Sequence, residues 1–271
     1  MIRVRRIILY LSLIAADFLI LTVILALNPA IAELLNSNSF LMLLVSELIF
    51  IFPALPLYML ITNQNLQCIL PLKPLGWKNA AYILLMTFLL EPVTWLLSAL
   101  TSLIYPNAAM EISAMFTREN LLAALIAIAV IPSLVEEICF RGALLNASKG
   151  MGIMGAAVIN GILFGLIHLN PQQIPYAMFL GIIFSLYVIY THSIFSSILA
   201  HFFVNAPNVL LALYIQDNTD TVSTAEDLTT SLIILAIFAL VFFIGFLGVY
   251  KRFRLYNLYR NPIRVEYSHR A

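Results

Sequence analysis

The feature that most constrains this chain is a group of three charged residues at the end of an apolar run. Residues 121–135 contain no charged side chain, and Glu136, Glu137 and Arg141 follow them directly. Each such charge costs roughly 2.5–3.5 kcal/mol at the centre of a membrane helix. Because the three lie so close together, we expect the protein itself to provide partners for them, and we interpret this segment as the functional site.

The composition is typical of a polytopic membrane protein. Of the 271 residues, 62% are hydrophobic and 10% are charged, whereas a soluble domain carries about 25% charged residues. Apolar windows of about 20 residues predict eight membrane helices, at 7–27, 40–62, 80–104, 119–145, 153–169, 174–190, 194–214 and 229–250. Pro53 and Pro56 interrupt the second of them. We therefore expect an all-α fold in a single integral membrane domain, residues 1–271, with about eight transmembrane helices around a polar cavity.

The distribution of positive charge predicts how the chain is oriented in the membrane. Of the 14 Lys and Arg residues, Arg141 belongs to the expected site and Arg118 alone falls on one side of the predicted helices, which leaves twelve on the other side. Lys and Arg are enriched in cytoplasmic loops. We therefore expect both termini in the cytoplasm, and the plasma membrane of a prokaryote as the location. The net charge of +1 indicates no particular partner, and we expect no nucleic acid among the partners.

The two cysteines, Cys68 and Cys139, lie in unrelated sequence contexts. This pattern indicates neither a disulfide framework nor a metal site built from cysteines. Although Cys139 is close to the two carboxylates in sequence, we expect it to be a small buried side chain that fills a helix face.

The spacing of the charged residues predicts their relation on a helix. Glu137 and Arg141 are four residues apart, so they share a face and can form an ion pair. Glu136 points about 100° away from Glu137 and is free for another role. One interpretation makes the pair a scaffold and Glu136 a reactive base. The other makes all three residues an ion-pair network that fastens helices together.

The fifth predicted helix carries a polar face and a face of small residues. Asn160, Phe164 and His168 share the polar face, and Gly161 and Gly165 would let another helix approach closely. Because His168 is near the helix end, it either contributes to a site or extends to the membrane interface.

The seventh predicted helix places His201 and Asn205 four residues apart on one face. They either form structural hydrogen bonds between helices or contribute to a site. Polar faces on three separate helices together predict a polar cavity. Two His and one Glu would suffice for a catalytic zinc, or for water activation with stabilisation of an oxyanion.

Three motifs on successive predicted helices are Glu136-Glu-x-x-x-Arg141, Phe164-x-x-x-His168 and His201-x-x-x-Asn205. In this order they resemble the motifs of the CPBP family. That family comprises the type II CAAX prenyl endopeptidases and the bacteriocin-processing and self-immunity proteins, also called the Abi domain. The resemblance covers residues 118–214, and Gly181 and Tyr187 resemble the family's linking helix.

The resemblance implies an intramembrane endopeptidase that hydrolyses a peptide bond of a membrane-associated protein or peptide. By the same resemblance, Glu136 is the general base that activates water, and His168 helps it. His201 and Asn205 stabilise the oxyanion. The expected partners are the lipid bilayer and a membrane-associated substrate.

The resemblance also implies that Glu137 and Arg141 hold the site together. The family has been described both as metalloproteases and as metal-free glutamate peptidases. If zinc is present, Glu136, His168 and His201 would be its ligands. The chain lacks a His-Glu-x-x-His motif, the common helical zinc protease signature. We therefore prefer a site without a cofactor and keep zinc as the alternative.

Two other classes of function fit the same residues. One is a non-catalytic immunity or scaffold protein that keeps the motifs for stability. The other is a proton-coupled transporter, since Glu and His chains inside membranes also serve there, although no internal repeat supports it. Asp17, Glu47 and Glu91 also fall within predicted helices. For Glu91 we weigh structural pairing against a place at the cavity or at the site arginine.

Overall fold

A computed structural model of the chain describes residues 2–49, 53–107, 115–116, 120–218 and 225–260. In chain order the helices are α1 (Ile2–Leu27), α2 (Pro29–Ser37), α3 (Ser39–Leu48), α4 (Ala54–Thr62), α5 (Leu66–Ile69), α6 (Trp77–Ser102), α7 (Leu121–Ala147), α8 (Ile153–Ile167), α9 (Ile174–Thr191), α10 (Phe195–Asn218) and α11 (Ala225–Arg260).

The described residues include six helices that are long and apolar enough to cross a membrane, namely α1, α6, α7, α9, α10 and α11. The number becomes seven if α2 and α3, which meet at an angle of 114°, form one broken span. The fold is therefore an all-α polytopic membrane protein, as predicted. The expected count of eight is not confirmed, because two of the predicted spans take a different form.

The predicted span at 40–62 is divided into α3 and α4. Helix α3 ends at Leu48, and α4 begins at Ala54, directly after Pro53. Asp17 of α1 accepts a hydrogen bond from the backbone N–H of Ala54 at 2.8 Å and is only 4% exposed. The first N–H groups of a helix have no partner within the helix, so this buried carboxylate completes the start of α4. Asp17 thus has a structural role that joins α1 to α4.

The predicted span at 153–169 is the 15-residue helix α8, which is shorter than the roughly 20 residues that a full crossing needs. Its small residues pack against α9, as the sequence predicted. A Cβ atom at Gly161 would lie 2.7 Å from the carbonyl oxygen of Met178, and one at Gly181 would lie 2.8 Å from the Cα of Gly161. The two backbones are therefore in direct contact.

Helix α7 contains two π-helical segments, Leu125–Val130 and Ile138–Leu144, on either side of the two glutamates. Segments of this kind are rare and often mark functional sites. Asn205 of α10 donates to the carbonyl of Ile128 at 2.9 Å. In its better-satisfied amide orientation, Asn160 of α8 donates to the carbonyl of Phe140 at 2.8 Å. Both π segments are thus held by amides from neighbouring helices.

Helix α9 is the most enclosed of the six spans. Within the structure, 67% of its apolar window is buried, compared with 11% for α11. Tyr187 of α9 is fully buried and packs edge-on against Phe253 of α11 at 5.8 Å between ring centroids. Since α11 exposes most of its apolar side chains, it is the peripheral helix of the bundle. Several residues that determine the predicted orientation, such as Arg118, Arg264 and Arg270, lie outside the described part of the chain.

Candidate active site

A single cavity of about 250 Å³ brings together the residues that the three motifs singled out. Glu136, His168, His201 and Asn205 all line it. They come from α7, α8 and α10, and further side chains from α3, α6 and α9 complete the walls. The predicted polar cavity is therefore present, while the chemical roles of these residues stay predictions.

The Glu137–Arg141 ion pair lies behind the cavity wall. Arg141 Nη1 is 2.8 Å from Glu137 Oε1, and both side chains are fully buried. Arg141 Nη2 also donates to the carbonyl of Gly181 at 3.1 Å, and the guanidinium lies 4.3 Å from the ring centroid of Phe164. The pair forms within one helix, as its spacing predicted, and Arg141 connects α7 to α8 and α9.

His201 lies between the two glutamates. Its Nδ1 is 2.9 Å from Glu137 Oε1, and its Nε2 is 3.9 Å from Glu136 Oε2. A charged carboxylate only accepts hydrogen bonds. Because Arg141 pairs with Glu137 and favours its charged form, Nδ1 of His201 is the donor. The edge of the ring that carries Nε2 is then directed toward Glu136.

His168 is held by its own helix. Its Nδ1 is 2.7 Å from the backbone carbonyl of Phe164, one turn earlier. A carbonyl oxygen only accepts, so Nδ1 donates, and Nε2 of the neutral ring is left with a lone pair. The ring also packs edge-on against Phe164, with 5.0 Å between centroids. His168 is half-buried at the cavity wall, and its fixed ring can accept a proton through Nε2.

Asn205 is fixed by the hydrogen bond from its Nδ2 to the carbonyl of Ile128. An amide nitrogen has two hydrogens, so this bond leaves one of them for another acceptor. The side chain is half-buried at the cavity wall. Asn205 therefore combines a structural bond to α7 with donor capacity at the cavity.

Glu136 is 8% exposed, and its Oε2 is a buried oxygen for which the described residues provide no hydrogen-bond partner. Buried polar atoms normally have partners. Such an oxygen at a cavity wall is suited to contact a molecule inside the cavity, such as water or a substrate.

The positions of the His168 and His201 rings bear on the alternative of a zinc ion. The His168 and His201 rings each use Nδ1 on a carbonyl or carboxylate, which is typical of metal-binding histidines. However, the described residues contain no group of three His, Cys, Asp or Glu side chains close enough to hold a metal ion. The preference for a site without a cofactor stays a prediction, with zinc as its alternative.

Glu91 does not meet the site arginine. Its Oε2 lies 3.5 Å from Thr94 Oγ1 on the same helix, which favours the interpretation as structural pairing. Cys139 is buried, as expected, and neither Cys68 nor Cys139 forms a disulfide bond.

Sequence reasoning missed a further polar strip of the cavity lining, formed by Thr94, Ser98 and Asn208. Thr94 and Ser98 are four residues apart on α6, and Asn208 follows Asn205 by three residues on α10. Trp95 Nε1 donates to Asn208 Oδ1 at 3.1 Å and so joins the two helices. The spacing of these polar residues was the signal that could have revealed the strip.

Comparison with protein families gives a match over about a third of the chain. Residues 118–207 match the family model described as "Type II CAAX prenyl endopeptidase Rce1-like", and this range includes all the motif residues. No curated protein and no solved structure matches the chain significantly. The match supports a CAAX-type membrane protease in general, and together with the apolar helices it makes the chain an integral membrane protein. Residues 118–207 are therefore similar to the CAAX-protease-like membrane proteins, in agreement with the resemblance to the CPBP family that the three motifs carry.

Proposed function

We propose that this protein is an intramembrane endopeptidase that hydrolyses a peptide bond of a membrane-associated protein or peptide. The observation that supports this function is the position of Glu136. Its buried, unpartnered Oε2 faces the same cavity as His168, His201 and Asn205, at 3.9 Å from His201 Nε2. Amide hydrolysis requires a general base for water and hydrogen-bond donors for the oxyanion. The residues around this cavity include a carboxylate, two imidazoles and an amide, which can serve as these groups.

In this proposal Glu136 removes a proton from a water molecule in the cavity. His168 assists by accepting a hydrogen bond from the same water through Nε2, because its Nδ1 is occupied by the carbonyl of Phe164. The water oxygen then attacks the carbonyl carbon of the scissile bond. A positioned general base typically contributes 10²–10⁴-fold to the rate.

His201 and Asn205 stabilise the oxyanion that forms on the carbonyl oxygen. To donate through Nε2 while Nδ1–H remains on Glu137, the His201 ring must carry both protons. The carboxylates on either side of it, Glu136 and Glu137, stabilise that charged form. Asn205 contributes the amide hydrogen that is not bound to Ile128. Glu137 and Arg141 hold this arrangement together from behind the wall.

The test uses purified protein in lipid vesicles with a set of membrane-anchored peptides, prenylated and unprenylated. Wild type is expected to cleave at least one peptide, whereas Glu136→Gln abolishes detectable cleavage and keeps the thermal stability of wild type. Glu33→Gln is the matched control, because Glu33 is exposed on α2, away from the cavity.

The other classes of function give different results in the same vesicles. A scaffold or immunity protein would cleave nothing and would retain its protective effect in the Glu136→Gln variant. A transporter would produce a substrate-dependent proton flux. Activity is expected to persist in a zinc chelator. Loss in the chelator with recovery on adding zinc would make Glu136, His168 and His201 metal ligands instead.

A further inference from the structure

Two carboxylates from different helices face the cavity. Glu136 comes from α7 and Glu47 comes from α3, and both line the same space. Each has an Oε2 that is buried and has no hydrogen-bond partner among the described residues. Helix α3 packs directly against α7, so the two carboxyl groups lie on adjoining walls of the cavity.

The described lining of the cavity gives this pair no lysine or arginine, and the charged His201 ring lies on the Glu136 side of it. The nearest guanidinium, Arg141, is behind the wall, where Glu137 and the carbonyl of Gly181 occupy its two terminal nitrogens. Like charges at one site favour a state in which one carboxyl keeps its proton. The carboxylates of Glu47 and Glu136 can therefore share a single proton.

We propose that Glu47 is the second carboxyl group of the active site and that it supplies the proton to the leaving amine. This inference rests on the proposed endopeptidase activity. Of the two, Glu136 is the carboxyl that stays charged and accepts the proton from water, because His201 lies 3.9 Å from it. The described residues give Glu47 Oε2 no hydrogen-bond partner, so Glu47 is the carboxyl that holds the proton.

Glu136 and Glu47 together account for every proton that is transferred in the reaction. Water gives one proton to the Glu136 carboxylate, and its oxygen bonds to the carbonyl carbon. When the tetrahedral intermediate collapses, the carbon–nitrogen bond breaks and the amine nitrogen takes the proton of the Glu47 carboxylic acid. Glu136 then returns its proton to Glu47. The net change is the addition of one water molecule across the amide bond.

The first experiment is independent of catalysis. Infrared spectroscopy of the protein in vesicles records the stretching band of protonated carboxyl groups. Wild type is expected to show a band that Glu47→Gln removes and Glu136→Gln shifts. If Glu47→Gln leaves the spectrum unchanged, Glu47 does not hold the proton and the proposal is overturned.

The second experiment measures cleavage of the best peptide. Glu47→Gln is expected to lower kcat on the order of 10²-fold with little change in KM, since a general acid acts on turnover. Glu47→Asp, which keeps the carboxyl group, is expected to recover part of the rate. Ser46→Ala, a change on the neighbouring residue of α3, is the control that should leave kcat unchanged.

The outcomes separate this inference from the proposed function. If Glu136→Gln is inactive but Glu47→Gln cleaves like wild type, the endopeptidase assignment stands and the role of Glu47 is wrong. If wild type cleaves no peptide, the endopeptidase assignment fails, and the infrared band alone decides whether the two carboxyls share a proton. If Glu47→Gln does not fold, the same comparisons are made with Glu47→Ala, and a wild-type kcat with an unchanged band in that variant overturns the proposal.

Discussion

Nδ1 of His201 lies 2.9 Å from Oε1 of Glu137, the same oxygen that accepts the hydrogen bond from Arg141. The buried ion pair is therefore connected to the cavity through the histidine ring. Glu137 does not line the cavity, but it determines which nitrogen of His201 points into it. The pair thus combines a structural role with control of the orientation of His201.

The first prediction concerns this ion pair. Glu137→Ala and Arg141→Ala should each lower the amount of folded protein and its activity. Removing one partner of a buried pair costs about 3–5 kcal/mol, because the other charge is left without compensation. Thermal unfolding in detergent and the yield of membrane-inserted protein measure the effect. If both single variants melt like wild type, the pair is not a scaffold, and Arg141 acts on the site electrostatically instead.

The second prediction concerns the oxyanion donors. His201→Ala and Asn205→Ala should reduce kcat by about 10²–10³-fold and change KM little, since the interaction is made in the transition state. Phe203→Ala is the control on the same helix, because Phe203 is exposed on the outer surface of α10. A large rise in KM at constant kcat would show that these residues bind the substrate and do not stabilise the oxyanion.

Features that depend on residues close in sequence could be predicted. The Glu137–Arg141 pair follows from a spacing of four residues, and the contact of α8 with α9 follows from Gly161 and Gly165. The family motifs selected Glu136, His168, His201 and Asn205, which all line the cavity. Local periodicity was sufficient for the ion pair and the helix contact, and the resemblance to the family supplied the cavity residues.

Features that depend on tertiary contacts could not be predicted. The π segments of α7 are held by Asn160 and Asn205 from other helices, and no pattern within residues 121–147 signals them. Glu47 is separated from Glu136 by almost ninety positions, so its place at the cavity required the packing of α3 on α7. The break between α3 and α4 depends on Asp17 of α1 as well as on Pro53.

The third prediction concerns the close contact between α8 and α9. Gly161→Ala should destabilise the protein by about 1–3 kcal/mol, because the new Cβ would meet backbone atoms of Met178 and Ile182 at 2.7 Å. Gly248→Ala on α11 is the control, since a Cβ there meets nothing within 4 Å. That change should be neutral or slightly stabilising. Equal melting temperatures for the two variants would contradict the packing described for Gly161.

The fourth prediction concerns orientation in the membrane. Reporter fusions at Arg270 should indicate the cytoplasm, and fusions near Asp220 should indicate the opposite side, because Lys and Arg favour the cytoplasmic side. Both fusion points lie outside the described residues. The reverse pattern would place the termini outside the cytoplasm and would contradict the orientation expected from the distribution of positive charge.

The most direct test of the central claim is the cleavage rate of Glu136→Gln relative to wild type, measured on the same membrane-anchored peptide. The variant keeps the size and shape of the side chain and removes the base. Loss of the general base typically costs roughly 10²–10⁴-fold in rate. We predict that the cleavage rate of Glu136→Gln falls by at least this factor, while the variant inserts into vesicles and melts like wild type. Cleavage by folded Glu136→Gln at the wild-type rate would contradict it.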